Sequence, residues 1–238
     1  MLYGWRGKIG LITVACGDST EADFHKMAPE GVSILTTRMP LDVSTVEAIG
    51  KMGDCAEETS SLLAQGKPNL IIFGSTAGSY IKGIGYDKEI INRIESHVGI
   101  PAITTSTAVI DALNALKVKK VAVATPHIDE VNQRERSFIE DSGFRITSIK
   151  GLNLREAYEI ASVESDEMYR LVKEIFTEDA DAIFISCTGL TVINIIETLE
   201  GELKRPVVTS NQATIWAALR RINVGDEIEG LGALGKVS

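Results

Sequence analysis

Only three cysteines occur, at positions 16, 55 and 187, and no pair has CxxC spacing. An odd, scattered count excludes a disulfide framework and argues against a cysteine zinc site. Reduced thiols in a cytoplasmic protein are the expected state. Histidine is equally scarce, with three residues and no HExxH pair, so no metal is expected. Positive charge is short as well: 24 Lys+Arg stand against 33 Asp+Glu, a net charge of −9. That balance excludes an ordinary nucleic-acid partner, which needs a basic face to displace counterions from phosphates. No apolar run reaches the ~18 residues of a membrane span. The opening stretch, MLYGWRGKIGLITVACG, lacks the apolar core and small-residue cleavage site of a signal peptide. Missing too are a GxSxG elbow, a GxxxxGK(S/T) loop and a GxGxxG fingerprint, which removes the common hydrolase, P-loop and dinucleotide readings.

What is present is an ordinary globular composition of 238 residues, 44% hydrophobic and 24% charged, enough to bury a core without staples. Short apolar runs alternate with longer amphipathic stretches. The runs predict strands at Ile9–Val14, Val32–Thr37, Leu70–Phe73, Ala102–Thr104, Val121–Thr125, Arg145–Ile149, Ala182–Ile185 and Val207–Thr209. Several are apolar throughout, as strands buried on both faces of a parallel sheet are. Helical patterns fall near 43–65, 86–97, 106–116, 128–141, 163–177, 190–203 and 211–221. The alternation predicts an α/β fold, with ligands beyond the carboxyl ends of the strands.

The chain also echoes itself. Lys8-Ile9-Gly10-Leu11-Ile12-Thr13 resembles Lys120-Val121-Ala122-Val123-Ala124-Thr125, and 120 − 8 = 112. Phe73-Gly74-Ser75-Thr76 resembles Ile185-Ser186-Cys187-Thr188, and 187 − 75 is again 112. A third pair, around Pro101 and Pro206, follows at an offset of 105. Two similar α/β halves are expected, pseudo-twofold related, each around a parallel sheet of about four strands. The first comprises 1–104 with 210–238 and the second 105–209, with the site in the cleft between them.

Two equivalent turns could carry chemistry: Ser75-Thr76-Ala77-Gly78-Ser79-Tyr80 and Ser186-Cys187-Thr188-Gly189-Leu190. Small residues and hydroxyls at a strand end free backbone N–H groups for an anion. Read more plainly, they are turns that cap the next helix. Cys187 stands out, because a helix starting near Thr191 would acidify its thiol. Cys16 and Cys55 read as structural or incidental. His127, also after a strand, is either a hydrogen-bond donor to substrate or an exposed cap.

These segments resemble the aspartate/glutamate racemase superfamily, whose paired strand-end motifs run G-C-T-S-G-S and S-C-T-x. Ser106-Thr107-Ala108-Val109, the run from Ala124 to Asn132, and Pro206-Val207-Val208-Thr209-Ser210 resemble the branch holding arylmalonate decarboxylase and maleate isomerase. The likeness covers roughly 8–222. It implies a cofactor-independent enzyme acting on a small dicarboxylate. It implies Thr76, Ala77, Cys187, Thr188 and Gly189 as donors to the substrate. His127 would stand where the decarboxylase has a tyrosine, and Asn132 would join the binding set. Leu41 and Val43 would line an apolar pocket or simply belong to the core.

Racemases and isomerases of this kind carry a cysteine at each turn; here the first is Ser75. A serine cannot replace that thiol without a neighbouring base. Three functions follow. The first is a decarboxylase of a malonate-like diacid, with Cys187 protonating an enediolate. The second is an isomerase or racemase whose first catalytic cysteine is replaced, naturally or by design, by Ser75. The third is a dicarboxylate-binding protein without turnover. The oligomeric state is open between monomer and homodimer.

Overall fold

The computed structural model describes residues 2–237 and contains two separate four-stranded parallel sheets. The first half runs β1 (Gly7–Val14), α1 (Ser19–Met27), β2 (Val32–Met39), α2 (Val46–Gly50), α3 (Ala56–Ala64), β3 (Leu70–Gly74), α4 (Thr76–Tyr80), α5 (Tyr86–Val98) and β4 (Ala102–Thr104). The second runs α6 (Thr105–Ala115), β5 (Lys120–Thr125), α7 (Asp129–Asp141), β6 (Arg145–Gly151), α8 (Ala157–Ala161), α9 (Ser165–Ile175), β7 (Ala182–Ile185), α10 (Ile196–Leu203) and β8 (Val207–Thr209). Helices α11 (Ser210–Arg221) and α12 (Gly232–Gly235) close the chain. The sheet orders are β2-β1-β3-β4 and β6-β5-β7-β8, the same topology twice.

The inner strands follow from their composition. Leu70, Ile71, Ile72 and Phe73 are all buried, as are Ala182 through Ile185, because helices cover both sheet faces. The edge strands β2 and β6 are half-buried and more polar. Helix α9 shows how the flanking layer packs: Met168, Leu171, Val172 and Ile175 form one apolar stripe against the sheet. Helix α11 packs on α6 and also reaches β3 and α1, so it joins the halves. No helix among the described residues is long and apolar enough to cross a membrane.

Two expectations need correction. The helix expected over 43–65 is broken: α2 ends at Gly50, a 3-10 turn spans Met52–Cys55, and α3 follows. Gly50 and Gly53 explain the interruption, since glycine costs about 1 kcal/mol in a helix interior. The helix expected from 190 begins as a 3-10 turn at Ile193–Ile195 and becomes α-helical at Ile196. The polar helix α1 was not anticipated.

In both sheets the connections leave the two central strands in opposite directions. That makes the carboxyl ends of β1 and β3, and of β5 and β7, topological switch points. A strap closes over them. Val43 and Glu156 form an antiparallel bridge, flanked by Ser44 N–H to the Arg155 carbonyl at 2.6 Å and Ala157 N–H to the Asp42 carbonyl at 2.9 Å. It ties the segment after β2 to the segment after β6.

Candidate active site

All four switch-point turns open onto one cavity. β1 supplies Thr13, Val14 and Cys16, and the β3 turn supplies Ser75, Thr76 and Ala77. His127 comes after β5, and Cys187, Thr188 and Gly189 come after β7. The strap and its neighbours add Leu41, Ser44, Ile49, Met52, Ala157 and Ile160, so most of the wall is apolar. The space open to the centre of a water molecule is about 40 Å³. At roughly 10–15 Å³ per water on that measure, it holds a few waters or one compact ligand.

Ser75 follows β3 and caps α4: its Oγ accepts from Gly78 N–H at 3.1 Å, and its hydroxyl points at Met52 Sδ, 3.8 Å away. No carboxylate or imidazole hydrogen-bonds to it among the described residues. As a cap the hydroxyl is well employed; as an acid or base it has no help. The next two amides, of Thr76 and Ala77, occupy the first helical positions, where no intrahelical acceptor exists.

Cys187 lies across the cavity. Its φ is +132°, a region that side chains avoid and that costs about 1–3 kcal/mol. The surrounding bonds hold it there. Its N–H donates to Ser210 Oγ at 3.0 Å, and the same oxygen accepts Thr76 Oγ1–H at 2.8 Å. The Thr188 carbonyl accepts from Ser19 Oγ, Thr20 Oγ1 and Asn211 Nδ2 at 3.2, 2.9 and 3.1 Å. Asn211 is in turn held by Asp23 at 2.9 Å, a carboxyl that burial pushes up to about 6. Helices α1 and α11 thus clamp the turn that carries the thiol.

No helix begins at Thr191, so the expected acidification of Cys187 is absent. Burial instead pushes the thiol up to about 12, opposed by Gly189 N–H, which donates to Sγ at 3.3 Å, and reinforced by Glu135 and Cys16. The side chain is half-buried and faces a largely apolar wall. The thiol therefore keeps its proton at neutral pH.

His127 is 4% exposed, and burial pulls it down to about 4, so its ring is neutral. Nδ1 lies 3.0 Å from Ser44 Oγ, while Nε2 has no protein partner. It is a buried polar group facing the cavity, which resolves the choice between donor and exposed cap in favour of the interior. Gly151 packs against the His127 carbonyl too closely to admit a Cβ, which fixes the turn from below.

Of the residues singled out from sequence, Ser75, Thr76, Ala77, His127, Cys187, Thr188, Gly189 and Leu41 share this cavity. Asn132 does not line it. Its Oδ1 accepts from Thr125 at 2.6 Å and its Nδ2 donates to the His127 carbonyl at 3.3 Å, so it braces the turn. Val43 sits in the strap. Cys16, read as structural or incidental, lines the cavity, and burial raises its thiol too. Ser44 gave little signal, being a single serine without a motif; Ser210 ends the motif that begins at Pro206, which did not show that its hydroxyl faces the two turns. No cluster of three or more metal-binding side chains exists among the described residues.

A sequence model described as arylmalonate decarboxylase matches residues 9–235, nearly the whole chain. The chain belongs to the arylmalonate decarboxylase family. Arylmalonate decarboxylase of Bordetella bronchiseptica is 27% identical over 214 residues, covering 89% of each chain. Maleate isomerase of Pseudomonas putida is 21% identical over 240 residues, covering 95% of this chain and 96% of the relative. Among solved structures, a double mutant of arylmalonate decarboxylase in its liganded form superposes with a TM-score of 0.91 at 27% identity, over 98% of this chain and 100% of that one. The unliganded decarboxylase gives 0.80, also at 27% identity, with 98% and 100% coverage. Maleate isomerase from Pseudomonas putida S16 with maleate shares the fold, with a TM-score of 0.93 at 21% identity over 98% of each chain.

Proposed function

We propose that this enzyme is a decarboxylase of a substituted malonate-like diacid, with Cys187 as the acid. The observation that carries the reading is the state of the two strand-end groups: one thiol held protonated by burial, facing a serine with no base. A thiol raised to about 12 is a scarce nucleophile at neutral pH but a ready proton donor to a strongly basic carbon.

One carboxylate is retained by the unpaired amides of Thr76 and Ala77 and by His127 Nε2–H, the tautomer in which Ser44 donates to Nδ1. The other carboxylate lies against Leu41, Ile49, Met52 and Ile160, where loss of hydration favours the neutral product. Its bond to the α-carbon breaks, CO₂ leaves, and the electron pair passes into an enediolate held by the same donors. Cys187 then gives its proton to the α-carbon, and the thiolate recovers a proton from water. Delivery from one face makes the product a single enantiomer.

A second reading, isomerase or racemase, is favoured by a specific observation: Cys16 places another thiol on the cavity wall. An NMR time course in D₂O with substituted malonates and maleate separates the two. CO₂ loss with one deuterium added at the α-carbon, abolished in Cys187→Ala, is the expected result. Conversion of maleate to fumarate, or α-deuteration without CO₂ loss, would overturn it.

A further inference from the structure

One interior carboxyl has no counter-charge and no part in the chemistry above. Glu135 lies on α7 with none of its surface exposed. It falls on the same stripe as buried Val131 and Phe138, where an apolar side chain would pack more cheaply. Its Oε2 accepts from Tyr80 Oη at 3.2 Å, and its Oε1 has no partner. Tyr80 ends α4, the helix that begins with Thr76 and Ala77, and its ring stacks on Phe138 at 5.7 Å between centroids. The Ser186 hydroxyl also acts on the carboxyl; Ser186 is buried and its hydroxyl is unpartnered. Ser186 is near enough to favour the ionised carboxyl without meeting hydrogen-bond geometry, and it is the residue before Cys187. No cation offsets this burial; the groups acting on the carboxyl are the Ser186 hydroxyl and the Tyr80 phenol. The titratable groups that feel its charge are Tyr80 and Cys187.

We propose that Glu135 is a positioning residue whose ionisation controls the acidity of Cys187, acting from behind the Ser186–Cys187 link while Tyr80 holds it in place. Two negative charges in the protein interior oppose each other, so an ionised Glu135 keeps Cys187 protonated. Burial pushes Glu135 up to about 7, which puts the control at neutral pH. Above that point the thiol's proton is held more tightly; below it the hold relaxes. The same carboxyl touches the helix that carries the opposite turn, so its protonation is felt on both sides of the cavity.

The test reads the thiol and needs no turnover, so it stands or falls separately from the decarboxylase reading. Iodoacetamide alkylation of Cys187 in the full-length protein is followed by peptide-resolved mass spectrometry from about pH 5 to about pH 9, with Cys55 as internal reference. Glu135→Gln should match the unsubstituted protein at the acid end. At the alkaline end it should react about tenfold faster, one unit of thiol pKa. Should that variant fold poorly, the unsubstituted protein is itself diagnostic. Its logarithmic rate should rise with unit slope, flatten to roughly half that slope across the Glu135 titration, and resume unit slope about one unit lower. Tyr80→Phe removes a donor that favours the carboxylate and should move the flattening to higher pH. A Gln-to-wild-type ratio that stays constant with pH, or an unbroken unit slope in the unsubstituted protein, overturns the proposal.

Discussion

Ser210 Oγ accepts the backbone N–H of Cys187 at 3.0 Å, and on the same oxygen receives the Thr76 hydroxyl at 2.8 Å. One fully buried hydroxyl on α11 therefore sets the spacing between the two turns that face each other across the cavity. Ser210→Ala leaves a buried N–H and a buried hydroxyl without an acceptor, each worth about 1–3 kcal/mol. The variant should unfold at lower denaturant and lose turnover at least about tenfold, a loss of positioning. Ser210→Thr keeps the oxygen and should recover most of both. Equal stability of the alanine variant in urea titration would show that the oxygen does not hold the turns.

The backbone of Cys187 offers an independent test of strain at the site. With φ at +132°, any side chain there is held against its preference, and glycine is not. Cys187→Gly should therefore be more stable than Cys187→Ala, by about 1 kcal/mol after the greater chain entropy of glycine is subtracted. Both should lack turnover, because neither carries the proton. Denaturant midpoints of the two variants decide it, and an alanine variant as stable as the glycine one would mean that the turn is not strained.

The strands and the repeat were legible because buried parallel strands leave continuous apolar runs, and Leu70–Phe73 and Ala182–Ile185 are such runs. The two turns were legible because the repeat aligned Ser75 with Cys187 and so placed both at one cleft. Helix α1 was not: Phe24 and Met27 are its only large buried apolar side chains, and its other buried positions are Ser19, Thr20 and Asp23. Such a helix has no hydrophobic period to read. The place of Cys16 on the cavity wall was not legible, because it depends on α8 lying against it, a contact between segments more than a hundred residues apart in sequence. Glu135 did leave a signal, a carboxylate on the stripe between Val131 and Phe138, and only the structure shows what it faces.

Three buried groups give the stability a definite pH dependence. Glu135 is raised from 4.5 to about 7 and Asp23 from 3.8 to about 6 on folding. Their contributions are complete below the unfolded values and are lost as pH rises through the folded ones. His127 is lowered from 6.5 to about 4, so its contribution is complete above 6.5 and is lost as pH falls towards 4. Glu135 and His127 each amount to about 3 kcal/mol in opposite directions, and Asp23 adds to the side of Glu135. The protein should be more stable near pH 5 than near pH 8. Asp23→Asn should reduce that difference, and Glu135→Gln should leave Asp23 and His127 opposing each other. Urea midpoints across this range check both, and a protein more stable at the alkaline end with Asp23 intact would contradict the assignment.

Ser75 separates a capping role from a chemical one. Its Oγ closes the first turn of α4 through Gly78 N–H and meets no base. Ser75→Ala should lower stability by about 1 kcal/mol, the usual value of a lost cap, and change turnover only a few-fold. A nucleophile or general base would show a loss of orders of magnitude, and a loss of that size would restore Ser75 to the chemistry. Ser75→Cys asks the converse question, because it supplies a thiol opposite Cys187. The introduced thiol would lie in the same buried cavity, and no adjacent cation is available to ionise it. The variant should retain decarboxylation and gain only slow α-proton exchange. Rapid maleate isomerisation in Ser75→Cys would mean that the site is an isomerase lacking one group, and that burial does not decide which reaction runs.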